Sequence, residues 1–394
     1  MTTVELSTSP LPRPPALSEE WRACRPDYLS VYGLVLDAER HANEQVKANP
    51  SYREAKDNLM FARVAGYLLI ELYNRRAILS EVPCRSLVKQ LKSLPREDGD
   101  TAHDVIFKIG QRKLNYLLRM FRTSTKKYPT PSLHPSRPSF DTLEDMTRDC
   151  MMVDSKDYRT ARRKALARDD YRCILTGMFD RTSLRFSREL DQLRRGLDAT
   201  FTTIQACHIL NESTMQGIDP TGASEDTAVM SKTDYAVTAM SILRDFGLES
   251  HAQELLAPDG VHNLGNLLSL AQEVHTYFDN LDLWFEGTDE PNCYTVCVSD
   301  RGIERYLRMF GHLCVDGGRL YVTFSSNENT RLPDPKLLAL HAACARVVRM
   351  SGAAEALDEL ERDVEGTRVL AFDGSSAHLL DHLMSRFATI PGVA

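Results

Sequence analysis

The chain has 394 residues, 42% of them hydrophobic and 26% charged, and a net charge of −7 at pH 7. At ~150 residues per domain, this length leaves room for two or three domains with real cores. The balance excludes a polybasic protein that coats nucleic acid, and no run approaches the ~18 uncharged apolar residues of a membrane span. The opening stretch, MTTVELSTSPLPRPPALSEE, lacks the basic and apolar regions of a secretory signal. Nine scattered cysteines form no disulfide framework. The expectation is an intracellular protein, nuclear or cytoplasmic, with no membrane partner.

Residues 1–20 are rich in Ser and Pro and predict a disordered N-terminus. From 21 to 127 the pattern is helical. Leu59, Ala62, Gly66, Leu69 and Tyr73 share one helix face, and Val105, Ile106, Ile109, Leu114, Leu117, Leu118 and Phe121 mark a second helix. The run KKYPTPSLHPSRPSF holds four prolines in fifteen residues and reads as a linker over 128–145. Residues 146–350 then predict a second domain. It opens on a basic helix, Asp157 to Arg168. YRCILTG (Tyr171 to Gly177) reads as a strand entering a turn, and TTIQACHILNES (Thr202 to Ser213) as the next β-like segment. QGIDPTGASEDTA reads as a surface loop and Tyr235 to Phe246 as a helix. Val261 to Phe285 runs from a turn into a helix. CYTVCVSD and LYVTFSS alternate like strands, and Pro333 to Met350 carries a proline just inside a helical pattern. Residues 351–394 predict a helical tail.

Local charge differs from the net charge. Between Tyr158 and Asp198, eleven Lys/Arg stand against six Asp/Glu, and Gln111 to Lys127 holds six basic residues and no acidic one. Such patches can neutralise phosphates, although a solvated helix face is the plainer reading of either alone. Cys173 and Cys207 sit in apolar runs and read as buried thiols, and Cys293 and Cys297 as core. Without a C-x-x-C pair there is no zinc knuckle. His341 lies in an apolar helix and reads as structural. His378 and His382 in HLLDH lack the Glu of a zinc-protease helix. Tyr277, Phe278, Trp284 and Phe285 read as core rather than a base-stacking platform.

The informative pair of segments is ACHILNES around His208 and NLLSLAQEVH from Asn266 to His275. The span from Arg159 to about Phe285 resembles the HNH (ββα-metal) nuclease domain found in fungal proteins. The resemblance rests on Arg168–Asp169, Cys173, Thr176–Gly177, Cys207–His208–Ile209, Asn266, Leu268, Leu270, His275 and Phe278–Asp279. LPDPKLLALHAACARVV is similar to the segment that follows the core in these proteins, so the likeness covers roughly 157–350, about half the chain.

That resemblance implies an α+β protein, mostly helical, with a ββα-metal core and a small antiparallel sheet. It implies an endonuclease that hydrolyses phosphodiester bonds of DNA or RNA with a divalent metal and leaves a 5′-phosphate. His208 would be the general base, Asn266 the residue that orients it through backbone hydrogen bonds, and His275 a metal ligand. Family members often place Asp before the base; here that position is Cys207, and Asp279, one helical turn after His275, would supply the carboxylate. Mg²⁺ is the first expectation, with Mn²⁺, Zn²⁺ or Ni²⁺ as softer alternatives. Arg159, Arg162, Arg163, Lys164 and Arg168 would grip the nucleic-acid backbone. The 58 positions from His208 to Asn266 require an insertion between Asn211 and Gly260. Two other readings stay open: a non-catalytic nucleic-acid-binding module on a degenerate HNH scaffold, and a regulatory protein that works through its helical N-terminal region.

Overall fold

The computed structural model describes residues 3–4, 6–13, 26–93, 101–122, 140, 142–152, 157–210, 240–257, 260–326 and 330–358. The long helices described first are α1 (Pro26–Ala48), α2 (Arg53–Asn74), α3 (Val82–Ser93) and α4 (Ala102–Arg112), with a single helical turn at Arg76–Leu79 between α2 and α3. Thr101 and Asp104 form a reciprocal cap at the start of α4. Past Arg112 the chain stays helical but widens into a π-helical turn over Lys113–Leu118 and tightens again over Arg119–Phe121. The apolar positions read from the sequence are buried, except Leu59, which is half-buried, and α2 is buried on nearly every side from Met60 to Tyr73. Ala62, Leu69 and Tyr73 of α2 face the core, as do Ile106, Ile109, Leu117 and Phe121.

After the proline-rich stretch come α5 (Leu143–Met152), α6 (Tyr158–Arg168), β1 (Phe179–Asp180), α7 (Arg188–Gly196), β2 (Phe201–Thr202) and β3 (Ile204–His208). Asp157 caps α6 in a reciprocal box with Thr160. Then follow α8 (Glu249–Leu256), β4 (Leu267–Ala271), α9 (Gln272–Asp279), β5 (Leu283–Gly287), β6 (Cys293–Val298), α10 (Arg301–Arg308), β7 (Cys314–Asp316), β8 (Arg319–Thr323) and α11 (Pro335–Ser351). The class is α+β: mostly helical, with small sheets. β3 and β4 pair antiparallel in a register that sets Cys207 opposite Leu268 and His208 opposite Leu267. β5, β6, β8 and β7 form a four-stranded antiparallel sheet in that order, and β1 and β2 make a short parallel pair. Among the described residues no helix is long and apolar enough to cross a membrane.

Several expectations change in the structure. Tyr171 to Gly177 is a tight turn rather than a strand, with a single bridge from Arg172 to Phe179 and the Ile174 N–H donating to the Ser269 carbonyl of β4 at 3.1 Å. Gly177 has φ +69°, and a Cβ there would come within 2.6 Å of the His312 ring, so both conformation and space demand glycine. Val261 to Phe285 contains a strand, β4, before its helix. All five β4 residues are buried, so the strand shows none of the alternation that marks a half-buried one. Part of the segment 1–20 is also packed. Leu11 is 4% exposed, its side chain fills the space over Gly66, and its N–H donates to both Glu39 carboxylate oxygens at 3.0 and 3.2 Å. A Pro-rich sequence loses little backbone freedom when it lies extended on a helix pair, so a few apolar contacts suffice to hold it.

The expected linker falls mostly outside the described residues, as do the loop at 216–228, His378, His382 and the tail beyond 358; of the helix expected at 235–246, residues 240–245 are helical and 235–239 lie outside the described residues. The regions on either side of the linker share one apolar core. α11 lies against both α2 and β5. Glu71 of α2, 3% exposed, pairs with Arg346 of α11 at 3.0 Å and with Arg75, which reaches Glu286 of β5 at 2.6 Å. The helical region is therefore packed onto the sheet region, not tethered beside it.

Candidate metal centre

The β3–β4 hairpin is covered by α9 on one face and by α6 on the other. Strand alternation decides which side chain meets which helix. Gln205 and Cys207 point toward α9, where Gln205 meets His275 and Cys207 meets Asp279. Ala206 belongs to the opposite face, in a small cluster with Ala161 and Ala165 of α6 and Leu267 of β4.

On the α9 face, Cys207, His275 and Asp279 are all buried, and one potential ligand atom from each lies within 4.8 Å of the others. These are the three residues assigned to metal from the sequence. The Cys207 Sγ lies 3.8 Å from Asp279 Oδ1, and His275 Nε2 lies 3.3 Å from Asp279 Oδ2. His275 Nδ1 sits 2.8 Å from the Gln205 side-chain oxygen, which can only accept, so this nitrogen carries the proton and Nε2 faces inward. An imidazole lone pair, a carboxylate and a sulfur then converge among buried side chains, an arrangement that needs a proton or a cation between them. The donor set of one sulfur, one nitrogen and one oxygen fits a borderline ion such as Zn²⁺ better than Mg²⁺, which prefers oxygen alone. Burial, and next the Asp279 charge, push the Cys207 thiol well above its ordinary range, so in the absence of a cation it is protonated.

His208 occupies a different setting. Its half-buried ring lies between Tyr158 and His262, with centroids 6.1 and 5.3 Å away, and its Nε2 lies 3.2 Å from His262 Nδ1. Burial, with smaller contributions from His262 and His275, lowers its pKa to about 3, so the ring is neutral at physiological pH. His275 is near enough to repel the charged form of this ring.

Asn266 is fully buried. Its side-chain oxygen accepts from the Leu210 N–H at 2.8 Å, and its amide donates to the Leu210 and Val261 carbonyls at 3.1 and 3.0 Å. It ties the chain leaving β3 to the turn entering β4, and so holds the end of the strand that carries His208.

The five basic residues of α6 do different work. Arg162 is buried, donating to the Ile204 carbonyl of β3 at 2.7 Å and to Asp180 at 2.5 Å. Arg168, 1% exposed, makes a two-pronged pair with Asp169 at 2.7 Å and donates to the carbonyls of Leu264 and Leu267 at 2.8 and 2.9 Å. These two guanidinia clamp the hairpin from behind and cannot reach a phosphate backbone, which corrects their expected role. Their charge is neutralised by Asp180 and Asp169, which is why burial is tolerated. Arg163 pairs with Asp149, while Arg159 is exposed and Lys164 half-exposed. In the second basic stretch Lys113 and Arg122 are buried, Arg112 is exposed and Arg119 half-exposed, and Lys126 and Lys127 lie outside the described residues.

Two members of the site escaped the sequence reading. Gln205 had a usable signal: a polar residue inside an apolar strand, two positions before Cys207 and so on its face. His262 had none, because its contact with His208 depends on a turn 54 positions away. His341, read as structural, is fully buried and stacks on Phe278 with ring centroids 3.9 Å apart, holding α9 against α11. No family model, curated protein or solved structure matches the chain.

Proposed function

We propose that this protein is a metal-dependent nuclease of the HNH type, hydrolysing phosphodiester bonds in DNA or RNA. The observation that carries the reading is the convergence of Cys207, His275 and Asp279 on a hairpin–helix unit whose next strand residue is His208. A divalent ion held there would offset the charge that develops on the scissile phosphate and the leaving oxygen. His208 is neutral at physiological pH and is the residue that takes the proton from the attacking water. His262 positions that ring, and Asn266 holds the strand end. Cys207, His275 and Asp279 would supply the ligands, with Gln205 setting the His275 tautomer.

The test separates the two histidines. His208→Ala should lower cleavage of plasmid or RNA by ~10²–10⁴ while leaving ion binding intact, because a general base acts in the transition state. His275→Ala should lose the ion, measured by isothermal titration with Zn²⁺, Mn²⁺ and Mg²⁺, and cleavage with it. Equal loss of ion binding in both variants would overturn the assignment.

One observation favours a second reading, a nucleic-acid-binding module without catalysis: Cys207 stands where a carboxylate is expected. Such a protein binds DNA or RNA equally with and without EDTA and cleaves neither with any of the three ions.

A further inference from the structure

With Arg162 and Arg168 turned inward, the exposed cationic surface near the hairpin lies one strand earlier. β1 and β2 place Phe179 and Phe201 in register as neighbours on one face of a parallel pair. Three guanidinium groups lie over these two rings. Arg172 is 4.2 Å from the Phe179 centroid, and Arg181 and Arg194 are each 5.5 Å from that of Phe201. All are within the range of cation–π attraction. Phe179 is fully buried, but Phe201 is 45% exposed, and Leu197 at the end of α7 is 54% exposed. Arg194 is pinned by Asp191 at 3.0 Å and by the Ala199 carbonyl at 3.2 Å, whereas Arg181 has no hydrogen bond or ion pair from its side chain among the described residues.

An exposed aromatic ring with cations on its flanks is costly to leave in water and is not part of the core. Its chemistry matches an unstacked nucleobase between phosphates: the π-face or a guanidinium plane takes the base, and the cations take the adjacent charge. A duplex hides the faces of its bases in the stack and presents only their edges and the phosphates. β2 runs through Thr203 directly into β3, so Phe201 lies six residues, at most about 20 Å of extended chain, from Cys207.

We propose that the Phe201 surface, with Arg181 and Arg194, binds single-stranded nucleic acid by base stacking. The proposal rests on the nucleic-acid reading of the neighbouring site for its partner, not on that site being catalytic.

The test uses the full chain in EDTA, so that cleavage plays no part. Binding of fluorescein-labelled 15-mers is followed by anisotropy for oligo-dT, oligo-U, an abasic backbone of equal length and a duplex. The wild type should bind the single strands tightly and the abasic strand at least five-fold more weakly. Phe201→Ala should weaken single-strand binding about ten-fold with an unchanged salt slope, and Phe201→Trp should restore it. Replacing Arg181 and Arg194 with Ala should lower the salt slope instead. Oligo-dT and oligo-U are compared to tell DNA from RNA, and a preference for either supports the site. Equal binding of abasic and base-bearing strands, or an unmoved affinity in a folded Phe201→Ala protein, would overturn it; a surface built for a protein partner gives this second result. Cleavage by the wild type is measured separately with added ions. Stacking without cleavage keeps this inference and removes the nuclease reading. Cleavage with no effect at Phe201 does the reverse.

Discussion

The side-chain oxygen of Gln205 lies 2.8 Å from Nδ1 of His275, across the interface between β3 and α9. That bond places the imidazole proton on Nδ1 and leaves Nε2 as the nitrogen facing Asp279 and Cys207. Its removal tests whether the ring is oriented for a ligand role. Gln205→Leu keeps the strand's volume but frees the ring. Ion affinity measured by titration should drop ~10–100-fold, the usual loss when the partner of a ligating histidine is removed. Gln205→Glu should restore it, since a carboxylate accepts the same proton. An unchanged affinity in Gln205→Leu would show that the ion, if bound, does not use His275.

Arg168 is expected to behave as a structural clamp. It is fully desolvated, paired with Asp169, and donates to two carbonyls that end the turn into β4. Arg168→Met removes the charge and strands both Asp169 and the carbonyls. Unfolding by urea should show a loss of about 3–5 kcal/mol. The salt dependence of nucleic-acid binding by the folded fraction should stay as in the wild type. A lower salt slope with normal stability would return Arg168 to the binding surface.

Much of the candidate site was legible because it lies in two short segments with strong local patterns. His208 and Cys207 share a strand, His275 and Asp279 share a helix turn, and Asn266 opens the second segment, whereas His262 comes from the long gap between the segments. Burial of charge was not legible. The same RTARRKALAR run that reads as a phosphate-binding face contains two arginines whose partners, Asp180 and the Leu267 carbonyl, are supplied by other elements. Periodicity reports which face of a helix is apolar, and here two of the five basic residues, Arg162 and Arg168, are on it. The strand β4 was missed for a related reason: burial on both faces removes the period-two signal.

Lys113 gives a prediction about pH. It is 1% exposed at the start of the π-helical turn, with its ammonium 5.2 Å from the Phe246 centroid. Desolvation, then repulsion from Arg112, lowers its pKa from 10.5 to about 8. Between those two values the unfolded chain holds a proton that the folded chain has released, so stability rises with pH across that window and is flat, at its lower level, below about 8. Lys113→Met should raise stability at pH 7 by roughly 1–3 kcal/mol and remove this rise. Denaturant midpoints at pH 7, 8, 9 and 10 measure both. A difference between wild type and Lys113→Met that does not change over this range would mean the ammonium is solvated; the difference also cancels the opposing loss from buried thiols such as Cys297 and Cys344.

Cys207 supplies the sharpest test of the metal centre. Cys207→Asp turns a sulfur–nitrogen–oxygen set into one with two carboxylates and one imidazole. Without an ion, the new carboxylate is buried beside Asp279, and two like charges among buried side chains cannot both ionise cheaply. The variant in EDTA should therefore melt lower than the wild type. With an ion the sign reverses, because the cation neutralises both carboxylates, and saturation at ~100 times Kd is worth about 2.7 kcal/mol of added stability. The preference among ions should also move. The wild type, with its thiol, should gain most from Zn²⁺, and the variant should gain from Mg²⁺ and Mn²⁺, which favour oxygen. If the wild type cleaves with Zn²⁺ or not at all and the variant cleaves with Mg²⁺, then the thiol alone selects the metal. Should neither protein shift its melting temperature with any of the three ions, the cluster is an ordinary buried hydrogen-bonded group and holds no metal.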